Sequence, residues 1–240
     1  PELIVDEPTL RVVYTPSRYF ASEPKADVSV VLRNPKAMNS AKNQVMFALN
    51  DYLAGIALDQ LSNQAAVGGI SFSTNANNGL MVNANGYTQR LPQLFQALLE
   101  GYFSYTPTEE QLEQAKSWYA QMMDSAEKGK AYDLALMPTQ MLSQIPYFQR
   151  EDRRALLPSI TLKDVLAYRD ALKTNTRPEF LIVGNMSDVQ AKTLAENVRT
   201  QLVSKGDEWC RNQDGLVEKK QNVIFENAGN STDSAQAAVF

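Results

Sequence analysis

Apolar positions along this chain switch between two periods, and the switches mark out its elements. Leu10-Arg11-Val12-Val13-Tyr14 and Ala26-Asp27-Val28-Ser29-Val30-Val31-Leu32 are short and rich in β-branched residues, with Pro16, Pro24 and Pro35 around them. They predict two strands joined by a long, partly irregular loop. From about Ser40 to Asn63 the period lengthens, and Val45, Leu49, Tyr52, Leu53, Ile56 and Ala57 fall on one face of a long helix. Alternation returns at Gly69–Thr74 and Leu80–Ala84. Asn78-Gly79 between them supplies the positive φ angles of a tight hairpin. Leu91, Leu94, Phe95, Leu98, Leu99 and Tyr102 then repeat at helical spacing.

Capping signals place the later helices. Thr106-Pro107-Thr108-Glu109 offers a capping hydroxyl, a proline at the first helical position and a glutamate three residues on, opening a helix that runs to about Glu127. A helical stretch over about Ala131–Ser143 follows, then a polar, proline-containing loop from Ile145 to Pro158. Thr161-Leu162-Lys163-Asp164 is a second capping pattern. Phe180-Leu181-Ile182-Val183 reads as a strand, and Ser187-Asp188 opens a last helix carrying Leu194, Val198 and Leu202. Periodicity fails from Ser204 to Asn222, where Gly206, Gly215 and Glu218-Lys219-Lys220 suggest a linker. Val223-Ile224-Phe225 and Ala235–Phe240 then read as strands of a following domain. The expected organisation is one domain over 1–204, a linker over 205–222 and the start of another domain over 223–240.

Composition narrows the chemistry. The 240 residues are 44% hydrophobic, enough for one large domain or two small ones. The 23 basic residues are scattered among 27 acidic ones, which argues against a nucleic-acid partner. No apolar run approaches the roughly 18 residues that cross a bilayer, and Pro1-Glu2-Leu3 lacks the regions of a signal peptide. Cys210 is the single cysteine, so neither an internal disulfide nor a Cys-rich metal site can form. The histidine count is zero. A Ser-His-Asp triad, a Cys-His pair and any His-containing zinc site are thereby excluded.

The remaining candidates are weighed on spacing. Asp51 and Asp59 are about 12 Å apart along a helix, too far to act as a pair, and are expected on a solvated face. Glu109, Glu110 and Glu113 suit the positive end of a helix dipole better than a metal. Val183-Gly184-Asn185 has the strand-turn-helix form of a phosphate loop, with a single glycine and no following Lys-Ser/Thr. Trp118, Tyr119, Met122 and Met123 fit either a core face or an adaptable peptide-binding wall, and helical spacing favours the core. No nucleophile has a recognisable base at a motif spacing.

The order of elements resembles one domain of the pitrilysin (M16) metallopeptidase family. The resemblance is carried by Asn50-Asp51-Tyr52-Leu53, Gly68-Gly69-Ile70-Ser71-Phe72-Ser73, Gly86-Tyr87 through Leu91-Pro92, and Val183-Gly184-Asn185-Met186. It is to the third of four homologous domains, with Gly229–Ser234 similar to the approach to the fourth. It implies an α+β, two-layer fold of the LuxS-like metallohydrolase type, with a mostly antiparallel sheet covered by helices on one face. It also implies a non-catalytic share in a periplasmic zinc endopeptidase whose two halves enclose peptides and small proteins in a chamber.

In that family the catalytic domain carries His-x-x-Glu-His on its long helix. The matching stretch here offers Ala48, Leu49, Asn50, Asp51 and Tyr52, and the position of the distal glutamate falls near Gln121. The resemblance therefore implies no catalytic or metal-binding residue in this segment, and zinc in the parent enzyme. Its partners would be the other domains of the same polypeptide and a peptide substrate, without nucleic acid or membrane. By analogy with the edge strand of the catalytic domain, Gly69, Ile70, Ser71 and Phe72 are expected to face the chamber. A purely structural or assembly subunit of the same fold is the alternative.

Overall fold

The computed structural model describes residues 1–18, 22–34, 36–76, 79–127, 147–174 and 176–202. The expected helix over 131–143, the linker, the strands beyond it, Asn78 and Cys210 lie outside these residues. Six strands form one sheet: β1 Glu2–Glu7, β2 Leu10–Pro16, β3 Lys25–Arg33, β4 Ser71–Ala76, β5 Gly79–Tyr87 and β6 Arg177–Gly184. Their order is β1-β2-β6-β3-β5-β4. The β2–β6 pair, with Val13 opposite Leu181, is parallel, and every other pair is antiparallel.

Strand alternation decides which face is covered. Ala26, Val28, Val30 and Leu32 of β3, Leu80, Val82 and Ala84 of β5, and Phe180 and Ile182 of β6 are buried. They meet a layer built from α1 Ala41–Val67, α2 Leu91–Ser104 and α6 Asp188–Thr200. Outside α1 lie α3 Glu109–Glu127, the short α4 Arg150–Leu156 with a 3-10 turn at Leu157–Ser159, and α5 Leu162–Lys173. The opposite sheet face exposes Leu181 and Val183. The fold is thus the two-layer α+β arrangement expected from the resemblance.

Several local expectations are corrected. β1 carries no long apolar signal, because acidic residues occupy both ends of this outer strand. α1 continues four residues past Asn63, to Val67. It stops there because Gly69 takes φ +70 and the Ile70 amide returns to the Ala65 carbonyl at 2.9 Å. Ile56 and Ala57 are exposed, whereas Met46, Phe47, Ala54 and Leu58 are buried, so the wet face of α1 is broader than its apolar spacing implies.

The cap of α3 is Thr108, not Thr106. The Thr108 hydroxyl accepts from the Gln111 amide at 3.2 Å, and Gln111 Oε1 accepts from the Thr108 amide at 2.9 Å. Buried Pro107 then precedes the cap instead of opening the helix. Part of the expected loop over Ile145–Pro158 is α4. Glu151 and Asp152 occupy its first turn and Arg153 and Arg154 its last, and the arginines tie it to Tyr119 and Asp124 of α3. An element held by polar contacts leaves no apolar period to read. The capping box at Thr161/Asp164 forms as expected, and the helix expected to open at Ser187-Asp188 is closed by a second one, Ser187/Gln190.

Candidate functional site

The middle of α1 is the segment that the resemblance aligned with a metal-binding helix. Helical geometry turns Leu49 and Leu53 inward, and it carries Asn50 inward as well, with no exposed surface at all. A buried amide needs partners. The hydroxyl of Tyr105, just past the end of α2, donates to Asn50 Oδ1 at 2.7 Å. The Asn50 Nδ2 lies beside Tyr102 but makes no hydrogen bond among the described residues.

Tyr105 is pinned from its other side. Arg169 of α5 donates to the Tyr105 carbonyl at 2.7 Å, and its guanidinium lies 5.2 Å from the centre of the Tyr105 ring. Burial pushes the Tyr105 hydroxyl well above its usual range, with Arg169 pulling the other way. Its phenol is therefore a neutral donor.

Asp51 was expected on a solvated helix face, and the structure places it elsewhere. Its carboxylate is half-buried, accepts from the Tyr102 hydroxyl at 3.3 Å and lies beside Thr74 of β4. Burial raises its pKa above the ordinary carboxylate value, against the Thr74 and Tyr102 hydroxyls, which lower it. Asp59 is exposed, as expected, and takes a bond from Asn63. The residue after Asp51, Tyr52, stacks on Trp118 of α3 at 4.9 Å between ring centres and a 32° tilt.

This donor set does not fit zinc. An amide, a carboxylate and two neutral phenols are hydrogen-bonded to one another, whereas zinc sites are built from imidazole, thiolate and carboxylate. Among the described residues no group of three His, Cys, Asp or Glu could hold a metal ion. Gln121 lies exposed on α3, between Tyr119 and Met123, which are buried. The four residues weighed on this helix divide: Tyr119 and Met123 join the core, while Trp118 and Met122 are 38% and 44% exposed.

The hairpin expected to face a chamber is one of the two outer strand pairs among the described residues, with β4 at the sheet edge. Gly69 and Ser71 are exposed, Ile70 is buried and Phe72 is half-buried against the core. Gly69 also ends α1. The uncovered sheet face beside the hairpin forms a shallow concavity of small polar residues. Ser29 donates to Asn83 at 2.7 Å and Ser71 to Asn85 at 2.8 Å within it.

The turn after β6 is closed by protein groups. The Asn185 amide bonds the Lys25 carbonyl, its side chain bonds the Glu23 carbonyl, and Thr88 bonds the Asn185 carbonyl. A Cβ on Gly184 would lie 2.7 Å from backbone atoms of Lys25 and Ala26. The glycine serves strand packing, and the cap of α6 is filled by its own Ser187 and Gln190. Glu109 and Glu110 sit in the first turn of α3, while Glu113 pairs with Lys116.

Tyr105, Tyr102 and Arg169 were not found from sequence, since each lies at least 51 residues from its partner, as Tyr102 does from Asp51. The available signal was a polar Asn50-Asp51 pair set between Leu49 and Leu53 on an otherwise apolar face.

The chain is similar in sequence and fold to known proteins. The family described as the middle or third domain of peptidase M16 matches residues 1–155. Protease 3 of Escherichia coli strain K12 is 80% identical over 240 residues, all of this chain and 25% of that protein. A crystal structure of pitrilysin superposes with TM-score 0.92 and 79% identity, covering 96% of this chain and 25% of that one. An M16 inactive domain from Pseudomonas fluorescens, 17% identical with TM-score 0.58 over 81% of this chain and 49% of its own, shares the fold. The chain spans about a quarter of the length of the curated relatives it matches. No helix among the described residues is long and apolar enough to cross a membrane.

Proposed function

Because the chain belongs to the M16 peptidase family as its middle or third domain, we propose that it is a catalytically silent part of a periplasmic zinc metalloendopeptidase. In this reading it builds part of the C-terminal half of a chamber in which peptides and small proteins are degraded. The zinc belongs to another domain of the parent enzyme, and Gln121 marks the lost position of a distal ligand. Residues 205–222 link this domain, 1–204, to a following one that starts at 223.

One observation carries the proposal. The α1 stretch that would bear the metal ligands is committed to packing, Asn50 on Tyr105 and Tyr52 on Trp118, in a chain without histidine. The sequence identity to a protein named as a protease favours this role over an assembly subunit. Docking against neighbouring domains is supported by the uncovered sheet face, where Leu181 and Val183 remain 46% and 37% exposed. The hairpin entered through Gly69, Ile70, Ser71 and Phe72 faces the chamber, with the open edge of β4 available to an extended peptide.

The test is hydrolysis of a quenched fluorescent peptide, run on the 240-residue chain with zinc and on the full-length polypeptide, each with a chelator control. The expected result is a flat trace for the former and chelator-sensitive cleavage for the latter. Chelator-sensitive cleavage by the short chain that survives repurification would mean that a metal site exists here without imidazole, and the reading would be abandoned.

A further inference from the structure

Four apolar residues of α1 and α3 stand around their mutual contact. Tyr52 and Trp118 stack across the α1–α3 contact, and one turn further along each helix stand Ile56, 41% exposed, and Met122, 44% exposed. Beside them a Cβ on Gly55 would meet nothing within 4 Å, so the surface of α1 is open there. On the other flank, α1 packs against β4, with Thr74 beside Asp51, the residue before Tyr52. A strip of α1 therefore runs between the outer strand of the sheet and an aromatic wall from α3.

What such a strip would hold is constrained by the strand above it. Among the described residues β4 pairs only with β5, so alternate backbone N–H and C=O groups along its outer edge lack a strand partner. An extended peptide backbone is the chemistry that completes such an edge, and every second side chain of an added strand points to one face. On the helix side, those side chains descend toward α1. Isolated exposed hydrophobics need no explanation, but a stacked Tyr-Trp pair flanked by Ile and Met next to an open edge does.

We propose that this strip is a side-chain subsite for extended peptides. A large apolar residue of a peptide added along β4 seats on Trp118 and Tyr52, bordered by Ile56 and Met122. The subsite rests on the chamber role of the domain and adds a preference to it: Leu or Phe is selected over Ala at one peptide position, away from the metal.

The test uses the full-length polypeptide and a series of quenched peptides that differ at one position, scanned through Ala, Leu and Phe. Wild type is expected to favour Leu or Phe at one such position by roughly 10-fold or more in kcat/KM. Trp118→Ala should bring that ratio close to one, acting through KM. Met122→Glu, at the more exposed side chain, is the second variant should Trp118→Ala not melt cooperatively. A photo-crosslinking phenylalanine at position 122 should label the Leu peptide in preference to the Ala peptide. An equal loss for all three peptides, or no loss, overturns the subsite while leaving the chamber role intact. A Met122→Glu variant whose melting temperature drops while its peptide preference is kept overturns it as well, since another domain then covers the strip. A full-length polypeptide that cleaves none of the peptides removes the chamber role itself.

Discussion

Replacing Tyr105 with Phe deletes a single oxygen, the one that holds Asn50 in the core. The Tyr105 hydroxyl lies 2.7 Å from Asn50 Oδ1, Tyr105 is 8% exposed and Asn50 0%, so water cannot take over the bond. Asn50 Nδ2 already has no partner among the described residues. In Tyr105→Phe the acceptor loses its bond too, a desolvation penalty of about 1–3 kcal/mol. For a chain of this size that corresponds to a melting temperature lower by roughly 2–12 °C. Asn50→Leu should cost a similar amount by leaving the phenol without an acceptor. The double variant replaces both partners with apolar groups of similar shape, which is nearly neutral in other settings. It is therefore expected to be more stable than the sum of the singles by at least ~1 kcal/mol. Urea and thermal unfolding of the 240-residue chain, followed by circular dichroism, yield the four values of the cycle. Arg169 still reaches the residue 105 carbonyl in every variant, so the cycle isolates the side-chain bond. If the two single costs simply add, Asn50 and Tyr105 are not coupled as a buried pair, and the bond between them does not hold the middle of α1.

Asp51 leads to a pH prediction of opposite sign to that of most surface carboxylates. Its pKa is raised in the folded state, first by burial, so the folded state holds the proton more tightly than the unfolded one. Its contribution to stability is therefore greatest below the ordinary carboxylate range and falls as pH rises through the raised folded value. Asp51→Asn, which keeps an acceptor for Tyr102 and Thr74, should flatten the urea midpoint between acid and neutral pH; an unchanged slope would show that Asp51 ionises freely in the fold. Two glycines should respond in opposite directions. Gly79 has φ +143 and its Cβ would lie 2.1 Å from the Leu32 carbonyl, so Gly79→Ala is expected to cost about 3 kcal/mol. Gly55, in the interior of α1 with open space above it, should gain about 0.8–1 kcal/mol as Ala. Equal melting temperatures for the two variants would contradict both geometries.

What the sequence settled by itself was what local chemistry settles. Strand alternation at Ala26–Leu32, the helical period through Leu98 and Leu99, and the hydroxyl-acid pair at Thr161 and Asp164 are read within a few residues, and the structure follows them. The absence of histidine excluded imidazole chemistry without any coordinates. Two elements escaped: α4 is held by polar contacts to the distant Asp124 and Tyr119, and β1, although it pairs locally with β2, has an apolar run of only three residues between acidic ends.

Only the tertiary structure decided the fate of the polar residues of α1. Asn50 and Asp51 look alike in sequence, yet a rotation of about 100° between neighbours on a helix buries the first against Tyr105 and leaves the second half-buried between Tyr102 and Thr74. Periodicity likewise assigned Trp118, Tyr119, Met122 and Met123 to one core face, and the breadth of the α1–α3 contact divided them two and two. A period fixes which residues share a side of a helix. How far the neighbouring helix extends over that side depends on long-range packing that no local window contains.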